Sequence, residues 1–278
     1  MSQSHFTLTF PLKPGTDAAA LTVALNQAMP VLFRAADTLG TIHYSRFTIL
    51  SPKTLIFLCD FDGDFGELMH SLAVSAGSVF DVIFQNVVAP PPIPVQDHAE
   101  EFADWASDNL VHPLNVYTAY PGATVAQIKA LAAAADITGG SEQRPFLVIL
   151  PIKSRLSFAS IQLLLRARSR GITKDLDTVG TPHFAQFVPL EDSQIGFFTV
   201  YDGSFNDYIA DFTKNIGQVF DIIFKFTKDP PPSPCQKHLQ EFIDFAAGAS
   251  REPIGFYQAY PGLTVQDVHA LVADSKAS

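Results

Sequence analysis

The pattern of hydrophobic and polar residues in the first half of the chain predicts a fixed order of strands and helices. Short runs rich in β-branched and aromatic residues predict strands, and longer Ala- and Leu-rich runs predict helices. The strands are expected at residues 5–13, 41–50, 54–61 and 115–120, and the helices at residues 17–37, 65–85, 97–109 and from Thr124 onward. Without the third helix, this order is β-α-β-β-α-β, the ferredoxin-like plan of antiparallel strands with helices on one face.

The same pattern occurs a second time in the chain. A shift of 140 residues aligns the sequence with itself without a gap, so that GSVFDVIF at 77–84 lies on GQVFDIIF at 217–224. A repeat of this length predicts two domains rather than the units of a solenoid. We therefore expect ferredoxin-like repeat 1 at residues 1–140 and repeat 2 at residues 141–278, with the Gly-Gly segment near residue 139 as the linker.

The predicted strands are apolar on both faces of the sheet. Leu55 and Phe57 share one face of their strand, while Ile56 and Leu58 point to the other. Such a sheet needs cover on both faces, and the helices supply only one cover. The sequence therefore predicts an α+β fold in which two tandem ferredoxin-like domains, each with an inserted helix, form a pseudo-twofold dimeric α+β barrel.

This organisation resembles the dimeric α+β barrel superfamily and, within it, the dye-decolorizing peroxidases, which also carry two such domains in one chain. The resemblance covers topology and duplication over nearly the whole length. Those peroxidases contain a GxxDG motif whose Asp lies on the distal side of the haem. The nearest strings here, CDFDGDF at 59–65 and TVYDGSF at 199–205, lack the first glycine. The resemblance implies haem or another hydrophobic molecule as the candidate ligand.

One pair of recurrent histidines lies in the middle of a predicted strand. His43 of repeat 1 corresponds to His183 of repeat 2. An imidazole in a cavity could bind a ligand or act as a general base. The alternative is a histidine that is hydrogen-bonded within the sheet. Asp62 and Asp202, each followed by glycine, are candidates for a catalytic carboxylate at a cavity mouth or for ordinary turn residues.

A second pair of recurrent histidines begins the inserted helix. His98 and His238 are each followed three residues later by a glutamate, Glu101 and Glu241, on the same helix face. Such a pair could contribute to cofactor binding. The alternative is that the glutamates interact with the positive end of the helix dipole. One pair supplies only two ligands, so no metal site is predicted.

Two further observations concern residues that could face a cavity. Tyr117 and Tyr257 recur in the last strand of each repeat, where they could contact a cofactor or pack in the core. Arg46 does not recur, because Gln186 replaces it in repeat 2. An arginine can pair with a carboxylate of a ligand, so this difference favours repeat 1 as the active half.

Composition and charge exclude several classes of function. The chain of 278 residues has 28 acidic and 18 basic residues and a net charge of −10, which disfavours binding to nucleic acid. No apolar run reaches the roughly 20 residues of a membrane span. The N-terminus has no signal-peptide pattern, so a cytoplasmic location is expected. The two cysteines, Cys59 and Cys235, occupy unrelated positions and predict neither a disulfide framework nor a metal site.

These observations support two functional hypotheses. The first is a binding protein or enzyme that holds a small hydrophobic ligand or haem between sheet and helices, with a peroxidase-like oxidoreductase as one form. The alternative is a non-catalytic binding or assembly module that uses its acidic surface and its Pro-rich strips, residues 90–95 and 230–235. In either case we expect a monomeric pseudo-dimer or a homodimer of it.

Overall fold

The structure is a computed structural model that describes residues 3–277, with side chains described as far as residue 275. The strands in this part of the chain are β1 (Gln3–Pro11), β2 (Ile42–Ser51), β3 (Thr54–Asp62), β4 (Leu110–Val111), β5 (Asn115–Thr118), β6 (Gln143–Pro151), β7 (Pro182–Leu190), β8 (Gln194–Asp202) and β9 (Ile254–Gln258). The helices are α1 (Ala18–Leu39), α2 (Phe65–Phe84), α3 (Ala99–Asp108), α4 (Val125–Ala134), α5 (Arg155–Ala167), α6 (Ser169–Val179), α7 (Phe205–Phe224), α8 (Leu239–Ala249) and α9 (Val265–Ala277). The predicted α+β class is confirmed.

The chain divides into two compact units, each with one antiparallel sheet. Unit 1 comprises the chain up to residue 111 together with residues 122–130 and 252–260, and its strand order is β4-β1-β3-β2-β9. Unit 2 comprises residues 112–121, 131–251 and the chain from residue 261, and its strand order is β5-β7-β8-β6. Three consecutive strands of each repeat are therefore adjacent in each sheet, β1, β2 and β3 in unit 1 and β6, β7 and β8 in unit 2.

The last strand of each repeat differs from the prediction. We expected residues 115–120 to pair within repeat 1, but β5 pairs with β7 in unit 2, and β9 of repeat 2 pairs with β2 in unit 1. Repeat 1 contributes only the two residues of β4 to the β1 edge. Pro113 follows β4 and has no N–H to donate to a ladder, so the strand cannot continue there.

Phenylalanines fill the layer between the sheet and α2 in unit 1. Alternate residues of β1 point to the helices, and Phe10 contacts Phe84 of α2. Phe47 and Phe57, on neighbouring strands, stack with ring centroids 4.3 Å apart, and both rings meet the edge of Phe80. The phenylalanines therefore lie on the face of β1, β2 and β3 that packs against the helices. Other side chains lie on the opposite face.

The helix α2 is long and apolar enough to cross a membrane by length and composition, which the sequence pattern did not indicate. More than half of its apolar stretch is buried inside the structure. Its phenylalanines form part of the core of unit 1. The helix α2 therefore has the surroundings of a core helix. Its length and composition are only weak evidence for a membrane span.

The Pro-rich strips pack as covers on the helices. At the end of each strip, a backbone N–H donates a hydrogen bond of 2.8 Å to a carboxylate of a helix. The donor is Val95 and the acceptor Asp81 in unit 1, and the donor is Cys235 and the acceptor Asp221 in unit 2. The strip of unit 1 also passes close to Gly77 of α2, where an added Cβ would lie only 2.8 Å from the backbone nitrogen of Gln96. The glycine is thus needed for the close approach.

We expect Gly77→Ala to lower the free energy of unfolding by about 1–3 kcal/mol, because the methyl group would overpack a contact with backbone. The equivalent Gly217→Ala is the matched control. Its Cβ would have no neighbour closer than 3.5 Å, an ordinary contact. Because alanine favours helix over glycine, this variant should be neutral or up to about 1 kcal/mol more stable. Urea denaturation of both variants measures the difference, and equal effects would contradict the packing.

Candidate functional site

The recurrent histidine of unit 1 belongs to a buried hydrogen-bond network. His43 lies at a β-bulge in β2, and its Nε2 is 3.0 Å from Asp62 Oδ1. Its Nδ1 is 2.7 Å from the hydroxyl of Tyr260. The second carboxylate oxygen of Asp62 accepts the backbone N–H of Val125 at 2.7 Å. A carboxylate can only accept a hydrogen bond, so Nε2 of His43 carries the proton. Nδ1 of His43 then accepts a hydrogen bond from the hydroxyl of Tyr260.

Unit 2 repeats this network with the same geometry. His183 lies at the equivalent bulge in β7, 2.8 Å from both Asp202 Oδ1 and the Tyr120 hydroxyl. Asp202 also accepts the backbone N–H of Val265 at 2.8 Å. The structure thus shows Tyr260 and Tyr120 as members of the two networks, each bonded to a histidine through its hydroxyl.

These two networks favour a structural role for the histidines. The side chains of His43 and His183 are fully buried, and both ring nitrogens of each are hydrogen-bonded. Each aspartate joins a strand to the N-terminus of a helix, where a negative charge is favourable. This geometry matches the alternative in which the histidines are hydrogen-bonded within the sheet. The catalytic role predicted for His43, His183, Asp62 and Asp202 stays a prediction without geometric support.

The second pair of recurrent histidines lies on the surface. His98 and Glu101 are 3.3 Å apart, with side chains 36% and 55% exposed, and His238 and Glu241 repeat this arrangement. The pKa of both glutamates is lowered. The largest cause is hydrogen bonding to the backbone, and the second is the hydrogen bond to the histidine. Across residues 3–277, no group of three or more His, Cys, Asp or Glu side chains is arranged to hold a metal ion.

The recurrent tyrosines of the last strands lie beside an aspartate of a helix. Tyr257 donates a hydrogen bond to Asp37 of α1 at 2.8 Å. Tyr117 lies close enough to Asp177 of α6 for the carboxylate to affect its pKa. Burial is the main cause that raises the pKa of both phenols, and the neighbouring carboxylate adds to it. The phenols therefore stay protonated at neutral pH and act as donors.

Polar side chains cover the face of the unit 1 sheet that is opposite to the helices. We call this the polar face, and it comprises His5, Thr7, Tyr44, Arg46 and Asp60. The strand register places His5 directly opposite Asp60, and Asp60 opposite Tyr44. His5 Nδ1 is hydrogen-bonded to Asp60 Oδ1 at 2.5 Å, and their side chains are only 5% and 9% exposed. The sequence therefore brings an imidazole–carboxylate pair to a buried sheet face.

Arg46 adds a cation to this buried face. It is 4% exposed, and loss of solvent lowers its pKa to about 10. The negative charge of Asp60 acts in the opposite direction and favours the charged guanidinium. The arginine thus remains positively charged at neutral pH. Its planar group of N–H donors suits a carboxylate or another oxygen anion.

Unit 2 is apolar at nearly all the positions of the polar face. Both units use the same strand pairing, with Pro145 opposite Val200 where unit 1 has His5 opposite Asp60. The unit 2 residues that correspond to the polar face are Pro145, Leu147, Phe184, Gln186 and Val200. The strand arrangement therefore does not require polar side chains at these positions. Since burying polar groups is costly, their presence in unit 1 points to a role beyond folding.

Sequence reasoning identified Arg46 but missed the rest of the polar face. His5 and Asp60 have no polar equivalent in repeat 2, and recurrence in both repeats was the criterion for a candidate residue. The signal that identifies them is the opposite one. His5, Thr7 and Thr9 of β1 and Asp60 of β3 are polar in repeat 1, and their equivalents in repeat 2 are apolar.

Comparisons with known proteins give weak similarities. No protein-family model and no curated protein sequence matches the chain. Among solved structures, a candidate monooxygenase from Fusobacterium nucleatum is 9% identical, with 95% of this chain and 97% of that chain covered and a TM-score of 0.43. A candidate monooxygenase from Lactobacillus acidophilus is 9% identical (94% and 98% covered, TM-score 0.33). An anthrone oxidase-like protein is 8% identical (94% and 95% covered, TM-score 0.30). Similarities at this level carry no argument about the function of this chain.

Proposed function

We propose that unit 1 binds a small organic molecule with an acidic oxygen atom at its polar face. The observation that carries this proposal is the buried Arg46 beside the His5–Asp60 pair, on a sheet face that is apolar in unit 2. The guanidinium would bind a carboxylate, phenolate or enolate oxygen of the ligand. Leu58 and Phe256, which the register places beside Arg46, would contact its apolar part.

The same face could also move a proton. Asp60 accepts a hydrogen bond from the ring of His5, which orients the imidazole. An imidazole held in this way is suited to general acid–base catalysis near neutral pH. We therefore propose proton abstraction from the ligand, with the resulting oxygen anion held by Arg46. Loss of a proton makes a phenol or enol easier to oxidise, so the predicted oxidoreductase class remains within this proposal.

The haem form of the first hypothesis has little support from the recurrent histidines. Both ring nitrogens of His43 and of His183 are hydrogen-bonded inside the core. His98 and His238 lie on the surface, each bonded to a glutamate. None of these four presents a nitrogen atom into a cavity as an axial ligand would. We therefore favour a small-molecule site without haem over a peroxidase-like one.

The finer prediction about the fold remains a proposal. The two sheets share the central order β1-β3-β2 and β6-β8-β7, which supports two ferredoxin-like repeats at residues 1–140 and 141–278. A pseudo-twofold α+β barrel built from these repeats stays a prediction. The expected oligomeric state and the cytoplasmic location stay predictions as well.

We expect Arg46→Gln to weaken the binding of a small aromatic acid by at least about tenfold, because a charge-assisted hydrogen bond is lost. The probes are 1-naphthoate and its uncharged amide, measured by isothermal titration calorimetry. The variant should fold, since Gln186 occupies the equivalent position of unit 2. Arg144→Gln is the matched control, because this arginine is half-exposed and lies in unit 2. Failure of the acid to bind, or equal affinity in wild type and Arg46→Gln, would overturn the proposal.

A further inference from the structure

We propose that unit 2 has a separate cleft that binds a small ligand carrying an ammonium group. The cleft has a volume of about 390 Å³ and lies beside the end of β5, the helix α6 and the first turns of α9. Its principal lining residues are Tyr117, Thr173, Asp177, Gln266 and His269. This volume is within the range of small-molecule sites.

The acidic group of the cleft is Asp177, which lines the cleft together with Tyr117. Unit 1 contains the equivalent pair, in which Tyr257 donates to Asp37 at 2.8 Å. There, the ammonium of Lys129 lies 3.5 Å from the same carboxylate oxygen of Asp37. Unit 1 thus shows that this tyrosine–aspartate pair accommodates an ammonium group.

Unit 2 lacks the two side chains that accompany the pair in unit 1. Phe33 packs against the ring of Tyr257 with centroids 5.8 Å apart, and its equivalent in unit 2 is Thr173. The equivalent of Lys129 is His269, whose shorter side chain lines the cleft. The cleft of unit 2 therefore corresponds to the place that an aromatic ring and an ammonium group take in unit 1.

The chemistry of the cleft selects the class of ligand. The carboxylate of Asp177 favours a cation and opposes an anion. The exposed ring of His269 offers aromatic surface to a cation or to a second ring. Gln266 is held in place because its Nε2 donates to the carbonyl of Gly180 at 3.1 Å. An arylalkylamine, with one ammonium and one ring, reproduces the two groups of unit 1.

The test is an NMR titration of the full chain with 2-phenylethylammonium at about pH 8, where imidazoles are ordinarily uncharged. We expect saturable binding that shifts the ring signals of His269. The double variant Thr173→Phe with His269→Lys copies unit 1 into the cleft and should weaken binding at least about tenfold. Asp177→Asn should weaken it to a similar extent, because a charged hydrogen bond is lost.

The controls separate this site from the polar face of unit 1. Lys129→Ala and Arg46→Gln should both leave the affinity for the amine unchanged, because neither residue lines the cleft. The carboxylate 3-phenylpropionate should not shift the signals of His269. Absence of saturable amine binding, or an unchanged affinity in both cleft variants, would overturn the proposal whatever the result for Arg46→Gln.

Discussion

Replacing Asp62 with alanine is expected to lower the free energy of unfolding by about 3–5 kcal/mol. The change removes the acceptor for both His43 Nε2 and the backbone N–H of Val125, and the side chain of Asp62 is only 2% exposed. Two buried donors would then have no partner, and each costs about 1–3 kcal/mol. The N-terminus of α4 would also lose its attachment to β3.

This expectation can be measured in unit 1 separately. The chain has a single tryptophan, Trp105, which packs against Phe10 and Phe84 in the core of unit 1. Its fluorescence during urea denaturation therefore reports on that unit. Asp64→Ala is the control, because this exposed N-cap residue should cost only about 1 kcal/mol. A loss for Asp62→Ala no larger than that of the control would show that the network does not hold the strand and helix together.

Asp202→Ala provides a second measurement of the same network. Asp202 accepts from His183 and from the N–H of Val265 in unit 2. The same geometry should give a similar loss of stability there, which circular dichroism would detect. A loss in unit 1 alone would mean that the recurrent histidines serve different purposes in the two units.

The predicted elements agree closely with the structure because their patterns are local. Strand 54–61 corresponds to β3 (Thr54–Asp62), and helix 65–85 corresponds to α2 (Phe65–Phe84). The apolar pattern lies within each segment, and the turn glycine Gly63 and the cap Asp64 lie directly between the two. Asp64 is the cap of α2, where its carboxylate accepts a hydrogen bond from the backbone N–H of Glu67.

The exchange of β5 and β9 could not be predicted in this way. A short strand pattern indicates that a segment is extended, but it does not identify the strand with which it pairs. In this chain β5 has two equivalent candidates, since β2 of repeat 1 and β7 of repeat 2 occupy corresponding positions. Pro113 and Pro253 precede the two exchanged strands and show only where a ladder is interrupted.

Recurrence between the repeats identified structural residues rather than the polar face. Both units need the same histidine–aspartate network, so His43 and His183 are alike. The polar face belongs to unit 1 only, so its residues differ from those of unit 2 and were visible only as differences. The sequence indicates Arg46 through its replacement by Gln186, whereas His5 is an isolated histidine whose equivalent in repeat 2 is Pro145.

The tyrosines predict a marked loss of stability in alkaline solution. All seven tyrosines of the chain are buried. Burial raises the pKa of Tyr201 to about 12, and it also raises the pKa of Tyr117, Tyr208 and Tyr257. In the unfolded chain these phenols have their ordinary pKa of about 10. Between pH 10 and 12 the unfolded chain therefore loses phenol protons that the folded chain keeps.

The sign of the effect follows from this difference. Ionisation favours the unfolded state, so the stabilisation is complete below pH 10 and falls as the pH rises above it. A phenol whose pKa is raised by two units contributes up to about 2.7 kcal/mol to this loss. Arg46 acts in the opposite direction, because burial lowers its pKa to about 10 and the folded state loses that proton first. Four phenols outweigh one guanidinium, so we expect unfolding between about pH 10 and 12.

Two signals followed together in a pH titration test this expectation. The ultraviolet absorbance of phenolate should rise only as the far-ultraviolet circular dichroism of the folded state is lost. Asp37→Asn and Asp177→Asn should move the transition only slightly, because burial has a larger effect than the carboxylates on Tyr257 and Tyr117. Phenolate that forms near pH 10 with the circular dichroism unchanged would show that water reaches the tyrosines. The hydrogen bond from Tyr257 that joins β9 to α1 would then not exist in solution as described.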